Sequence, residues 1–228
     1  MAAQLPRTAE GIVVAELRGA IVRGDLAPGA KILQEATAEE LGVSLIPMRE
    51  ALKTLAGEGI VTYRAQRGYF VAELPVERIR ELYLAREVVE EQTERLAIPA
   101  IVTQDLEAMR GQLRIQERAV AERDPVEMIA ANRTFHFTIF QRSGNAWLVR
   151  FAAQLWDALD PYRVLSYRRM WLEQDQQLLP QEILMEHEQI LGALEVEDRE
   201  LALTLLCEHR ERSKAFLATL TPTARASS

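Results

Sequence analysis

The chain has 228 residues, 48% hydrophobic and 27% charged, which is enough apolar material for one or two packed domains and too much for a disordered chain. A formal net charge of -7 counts against a surface built throughout to neutralise phosphates, and the single cysteine, Cys207, closes no internal disulfide, as expected in a reducing cytoplasm. No apolar run approaches the roughly 18 to 20 residues of a spanning helix, and Met1 to Pro6 lacks a basic stretch leading into an apolar one, so neither secretion nor a membrane is expected.

Taken in chain order, Ile12, Leu17, Ala20 and Ile21 recur at helical spacing, and the pattern stops at Gly24 before the turn-forming Pro28-Gly29. A second, short helix is predicted over 34–41 with Gly42 as its left-handed cap, and a third runs from its N-cap Ser44 to about residue 56. Helix, short glycine turn, helix is the outline of a helix-turn-helix. Segments 60–63 and 68–71 are rich in β-branched and aromatic residues and predict a hairpin, a wing, whose tip carries Arg64 and Arg67. Leu74-Pro75 interrupts the pattern and marks a boundary between domains 1–74 and 75–220.

Beyond that boundary there are only helical segments, punctuated at Ile98-Pro99, Asp124-Pro125, Ser143-Gly144, Leu179-Pro180 and Glu197-Asp198. The expected fold is therefore mainly α: an N-terminal winged helix-turn-helix with a small β-hairpin wing, then an all-α bundle of six or seven helices. Residues 221–228 are small and polar and are expected to form a flexible tail.

The acidity is unevenly spread, since basic and acidic residues nearly balance up to Glu73 and the excess of acids lies beyond it. Between Ser44 and Phe70, Arg49, Lys53, Arg64 and Arg67 outnumber Glu50 and Glu58, leaving a local basic surface. If the third helix packs on Met48, Ala51, Leu52 and Leu55, then Leu45, Ile46, Pro47, Arg49 and Lys53 face outward. In a major groove, Arg49 has the geometry to grip guanine or phosphate and Lys53 to add a phosphate contact; the alternative is that these charges only solvate a small helical domain.

The run from Leu17 to Gly29, then Leu41-Gly42-Val43-Ser44, Pro47-Met48-Arg49-Glu50-Ala51-Leu52, Leu55, Gly59-Ile60-Val61 and Arg67-Gly68-Tyr69-Phe70-Val71, resembles the N-terminal domain of GntR-family transcription regulators. The resemblance implies that Arg49 and the wing glycine Gly68 lie at a DNA surface. One position departs from the family: Leu45 stands where an Arg usually follows the capping residue, and Ile46 comes next.

The chain has three histidines. Asn132 and His136 share one helical face, while His187 and His209 lie about 15 and 18 Å either side of the turn at Glu197, similar depths in an antiparallel pair. The spacing leaves two readings: one site for a divalent ion such as zinc or nickel with an amide oxygen as a weaker fourth ligand, or three unrelated, separately hydrogen-bonded rings. Arg86 falls on the stripe of Ile79, Leu82, Val89 and Leu96, where a cation needs a partner, either Glu90 one turn on or the carboxylate of an anionic effector. Trp147, Trp156, Tyr162 and Trp171 are expected to serve packing.

The second half resembles the FCD ligand-binding domain of the FadR subgroup of GntR regulators, through Leu82-Tyr83, Arg86, Glu90, Asn132, Phe135-His136, Ser143-Gly144-Asn145, Glu186-His187, Ile190-Leu191, Ala193-Leu194, Asp198, Ala202 and His209. The resemblance implies a divalent cation held by Asn132, His136, His187 and His209, with a small carboxylate bound over it; Asn132 replaces the commoner Asp. The expected protein is a cytoplasmic homodimeric regulator, a repressor rather than an enzyme, on an inverted-repeat double-stranded DNA operator. Rival readings are a metal-dependent hydrolase using acids such as Glu87 or Glu188, and a helical adaptor with a degenerate DNA head.

Overall fold

The computed structural model describes residues 8–73, 76–173 and 180–220. The expected tail at 221–228, the N-terminal Met1 to Pro6 and the Leu74-Pro75 break lie outside the described residues. The chain divides into two compact units, Met1–Leu74 and Pro75–Ser228.

In the first unit, α1 spans Ala9–Val22 and starts on Thr8, whose hydroxyl oxygen accepts from the backbone N–H of Gly11 at 3.0 Å. Its inward face is Val13, Leu17 and Ile21, all buried, whereas Ile12 is 39% exposed. The expected stripe holds at Leu17 and Ile21 and differs at its first member, because Val13 and not Ile12 stands four before Leu17. Helix α2 (Gln34–Glu40) gives way to Gly42 at φ 65°, a left-handed position that glycine occupies without steric cost. Helix α3 (Leu45–Gly57) buries Met48, Ala51, Leu52 and Leu55 completely. Ser44 takes the extended N-cap conformation, yet its side chain makes no capping bond.

The sheet has three strands in the order β1-β3-β2, where β1 is Lys31–Ile32, β2 is Val61–Arg64 and β3 is Gly68–Val71. The antiparallel β2–β3 hairpin pairs Val61 with Val71 and Arg64 with Gly68 around a three-residue turn in which Gln66 has φ 60°. Arg64 therefore ends a strand and does not sit in the turn. The third strand, β1, pairs Lys31 with Phe70 and Ile32 with Tyr69. Two residues are too few to display a period-2 pattern, so nothing in the sequence announces it.

Among the described residues the second unit contains six α-helices and no strand: α4 (Val76–Ala97), α5 (Thr103–Glu122), α6 (Pro125–Phe140), α7 (Ala146–Glu173), α8 (Pro180–Glu195) and α9 (Arg199–Leu220). Two 3-10 turns, Ile98–Ala100 and Gln141–Ser143, adjoin the ends of α4 and α6. The punctuating residues act as caps: Asp124 accepts from the N–H groups of Val126 and Glu127, Asn145 from those of Trp147 and Leu148, and Asp198 from that of Leu201. Phe135, Ile139, Phe140, Trp156, Met109, Ile190 and Leu206 form the core. Trp147 departs from the packing role expected of it and is 64% exposed.

The buried face of α4 is unusually polar. It reads Ile79, Tyr83, Arg86, Glu90, Thr93, Glu94, Ala97, with Leu96 turned outward. Arg86 donates to Glu90 at 2.5 and 3.1 Å; Arg210 on α9 donates to Glu90 at 3.0 Å and to both oxygens of Glu94 at 2.7 Å; the indole N–H of Trp156 donates to Glu90 at 2.7 Å. Two guanidinium groups are matched by two carboxyl groups, which is the condition for burying them, and burial pushes the Glu94 carboxyl up to about 7 against the pull of Arg210. Although burial alone would raise the Glu90 carboxyl, Arg86, Arg210 and the indole together hold it below the usual range.

Among the described residues no helix is long and apolar enough to cross a membrane. Because Leu52 is completely enclosed in the first unit, Leu52→Ala should cost that unit about 2 to 5 kcal/mol in urea unfolding. Ile46→Ala, seven-tenths or more exposed on the same helix, should change stability by less than about 0.5 kcal/mol.

Candidate metal centre and nucleic-acid interface

Helices α6, α8 and α9 bring His136, His187 and His209 together: all three are buried, and one nitrogen from each lies within 4.8 Å of the others. The Nε2 atoms of His136 and His187 are 3.3 Å apart. Phe135 stacks on His187 at a centroid separation of 4.7 Å, and Trp156 lies 5.2 Å from His136, so the walls around the rings are largely aromatic.

Two of the rings are tied from behind. Nδ1 of His187 is 2.8 Å from Oε1 of Gln116 on α5, and Nδ1 of His209 is 2.6 Å from Oε2 of Glu186. An amide oxygen and a carboxylate oxygen only accept, so both rings carry their proton on Nδ1 and a lone pair on Nε2, and that of His187 accepts from Nε2 of His136. Burial, reinforced by the neighbouring imidazoles, holds His136 well below the ordinary histidine range, and His187 follows for the same reasons. Burial and then the positive charges of Arg163 and Arg86 push His209 down to about 3. Three neutral imidazoles therefore face one point at neutral pH, the protonation state that metal coordination requires.

Asn132, one turn before His136, is buried and lines a small cavity of about 30 Å³ together with His209, Arg163, Tyr83, Tyr167 and Ser213. Arg86 is not among the residues lining that cavity. It is bound by Glu90, stacks over Tyr83 and Trp156 at 4.8 and 4.7 Å, and keeps one nitrogen, Nη1, buried without a hydrogen-bond partner among the described residues. Arg163 is the cation on the cavity wall; it stacks over Trp156 at 4.3 Å and donates to Asp160 at 3.3 Å.

Gln116 and Arg163 escape the sequence reading, and Glu186 enters it only as part of the FCD resemblance, without a role. Glu186 adjoins His187 in the chain, but neighbours on a helix diverge by about 100°, and its carboxylate serves His209 on the next helix instead. Gln116 and Arg163 carry no local signal.

In the first unit, Ser44, Ile46, Arg49 and Lys53 are exposed on α3, Pro47 is half-buried, and Arg49 has no ion-pair partner among the described residues. Lys53 is held by Glu50 at 2.8 Å. Leu45 is half-buried and packs against the small core, leaving Ile46, 75% exposed, as the apolar residue presented outward. On the wing, Arg64 lies over the Phe70 ring at 4.6 Å and 3.3 Å from Glu73, and Arg67 is 5.9 Å from the same ring. Gly68 has φ 94°, a conformation that resists any side chain.

Residues 81–212 match the FCD domain family, and residues 10–71 match the bacterial regulatory proteins of the gntR family. The HTH-type transcriptional regulator McbR of Escherichia coli strain K12 is 28% identical over 206 residues, covering 89% of each chain. The gluconate operon transcriptional repressor of Bacillus licheniformis is 30% identical over 208 residues, covering 89% of this chain and 82% of its own. The solved structure of E. coli McbR/YncC superposes with a TM-score of 0.80 at 26% identity, over 93% of this chain and 98% of that one. A GntR regulator from Rhodococcus sp. RHA1 shares the fold at a TM-score of 0.77 and 24% identity, over 92% and 98% of the two chains.

The depressed histidines set a pH dependence. Below about pH 6.5 the unfolded chain takes up protons that the folded triad refuses, so stability falls as the pH drops from 7 towards 5, by up to about 1.4 kcal/mol per pH unit for each ring. Chelator-stripped protein should lose melting temperature over that interval, and His209→Gln should flatten the slope; equal slopes for parent and variant would contradict the assignment.

Proposed function

The chain belongs to the GntR family of bacterial transcription regulators, in the FadR-like branch with a C-terminal FCD domain, and from that premise we propose that it is a homodimeric repressor whose operator binding responds to a small organic acid bound over a divalent cation. Members of this family regulate transcription by binding DNA and are not enzymes. The repressing direction is supported by the B. licheniformis relative, which is named for repression.

The observation that carries the sensor reading is the convergence of three neutral imidazoles, two of which, His187 and His209, have their outer nitrogens already engaged. His136, His187 and His209 supply the nitrogen ligands, and Asn132 supplies an amide oxygen from the adjoining cavity wall. Such a set suits zinc or nickel, and the bound cation supplies a positive seat for an oxyanion. Arg163 lines the same cavity and takes the charge-pairing role for the effector carboxylate, whereas Arg86 lies outside that lining and is paired with Glu90.

On the DNA side, Arg49 is the base- or phosphate-gripping residue of α3, with Ser44, Leu45, Ile46, Pro47 and Lys53 around it and Arg64, Arg67 and Gly68 on the wing. Two-fold symmetry presents two such heads to an inverted repeat. The effector acts by preferring one arrangement of the two heads over another.

Elemental analysis of zinc-repleted protein should find close to one ion per chain, with occupancy falling strongly in His136→Ala, His187→Ala and His209→Ala. Absence of bound metal, with the operator response to carboxylates intact in all three variants, would overturn the sensor reading. For the heads, Arg49→Ala should cost about 1 to 3 kcal/mol per half-site if it bonds a base, read by titration of operator DNA. Unchanged affinity would remove Arg49 from the interface.

A further inference from the structure

We propose that Gln116 is a positioning residue for the cation: its side-chain carbonyl fixes the tautomer of His187 and so keeps a nitrogen lone pair aimed into the triad. The inference rests on reading the three histidines as a coordination sphere.

Gln116 lies on α5, is fully buried, and places Oε1 2.8 Å from Nδ1 of His187. Its other amide atom, Nε2, is buried without a hydrogen-bond partner among the described residues. Leaving that N–H group unmet is unfavourable, so the glutamine is not a fully satisfied polar side chain; an apolar residue of similar size would remove that cost but strand the Nδ1–H of His187 instead. What the glutamine supplies is an acceptor for the imidazole, and an Nδ1–H held by an oxygen keeps the ring proton away from Nε2 and orients the ring.

The same device recurs on another helix. His209 has Glu186 behind its Nδ1 at 2.6 Å, so two of the three rings are braced by an oxygen acceptor on the side away from the shared point. The braces differ in charge: Gln116 is neutral, whereas Glu186 is an acid paired with Arg212. Gln116 thus aims a ring without adding a charge to the aromatic surroundings of His187.

The test uses the full-length chain as parent, Gln116→Leu and Gln116→Glu, with zinc affinity measured by competition against a chromophoric chelator and melting temperature measured after metal stripping. Gln116→Leu should bind zinc about 10- to 100-fold more weakly, while its stripped form still unfolds cooperatively and melts lower only by what the stranded Nδ1–H of His187 costs. Gln116→Glu restores an acceptor oxygen and should recover the parent affinity. Equal affinity in all three proteins, or equal loss in both variants, overturns the positioning role while leaving the cation site standing. A parent that binds no zinc overturns the cation site and this inference together.

Discussion

Three imidazoles share one enclosed space only while all three are neutral. A proton on any of them would place a cation beside two others and within the field of Arg86 and Arg163, with aromatic walls that cannot solvate it. The placement of Gln116 and Glu186 follows from this constraint, since each gives a neutral ring somewhere to direct its single N–H. What remains is a set of inward lone pairs, a costly arrangement in a plain helical core and a useful one around a cation.

The ion ladder next to the triad answers a related problem. Adjacent residues of α9 serve the two networks: His209 belongs to the triad, and Arg210 binds Glu90 and Glu94 on α4. Trp156 touches both, with its ring beside His136 and its N–H on Glu90. A buried ion network of this kind tolerates few geometries, because shifting one member leaves a charge unpaired. The position of α9 relative to α4 is therefore tightly specified beside the histidine triad.

The sequence makes the helical segments legible because long periodic runs average out local exceptions. Met48, Ala51, Leu52 and Leu55 are the buried face of α3 as their spacing requires, and Gly42 adopts the left-handed cap its position suggests. Short or one-residue features are where the reading slips: Ile12 and Val13 are equally apolar neighbours, and the two-residue strand β1 has no period. Around the triad, depth along an antiparallel pair is enough to bring His187 and His209 together, since helical rise is nearly constant. The bracing groups and the cavity cation are not legible, because Gln116 and Arg163 come from helices far away in sequence and meet the site only through tertiary packing. Arg86 illustrates the reverse: a lone basic residue on a core stripe signals a partner, but only the fold decides that Glu90 fills the role.

The charge of the proposed donor set also bears on which effector such a site would accept. Three neutral imidazoles and the neutral amide of Asn132 contribute no negative charge to a divalent ion, and the one carboxylate touching the triad, Glu186, is itself opposed by Arg212. In the proposed cation site, aspartate at position 132 would offset one of the ion's two charges, whereas asparagine would leave both to a bound ligand, with Arg163 adding a further positive charge on the cavity wall. Coulomb attraction in a poorly hydrated cavity then favours an oxyanion over a neutral molecule of the same shape, and a doubly charged acid over a singly charged one. Exchanging Asn132 for Asp moves that balance in two directions at once, tightening the cation and loosening the acid, so affinity for metal and affinity for effector should change with opposite sign.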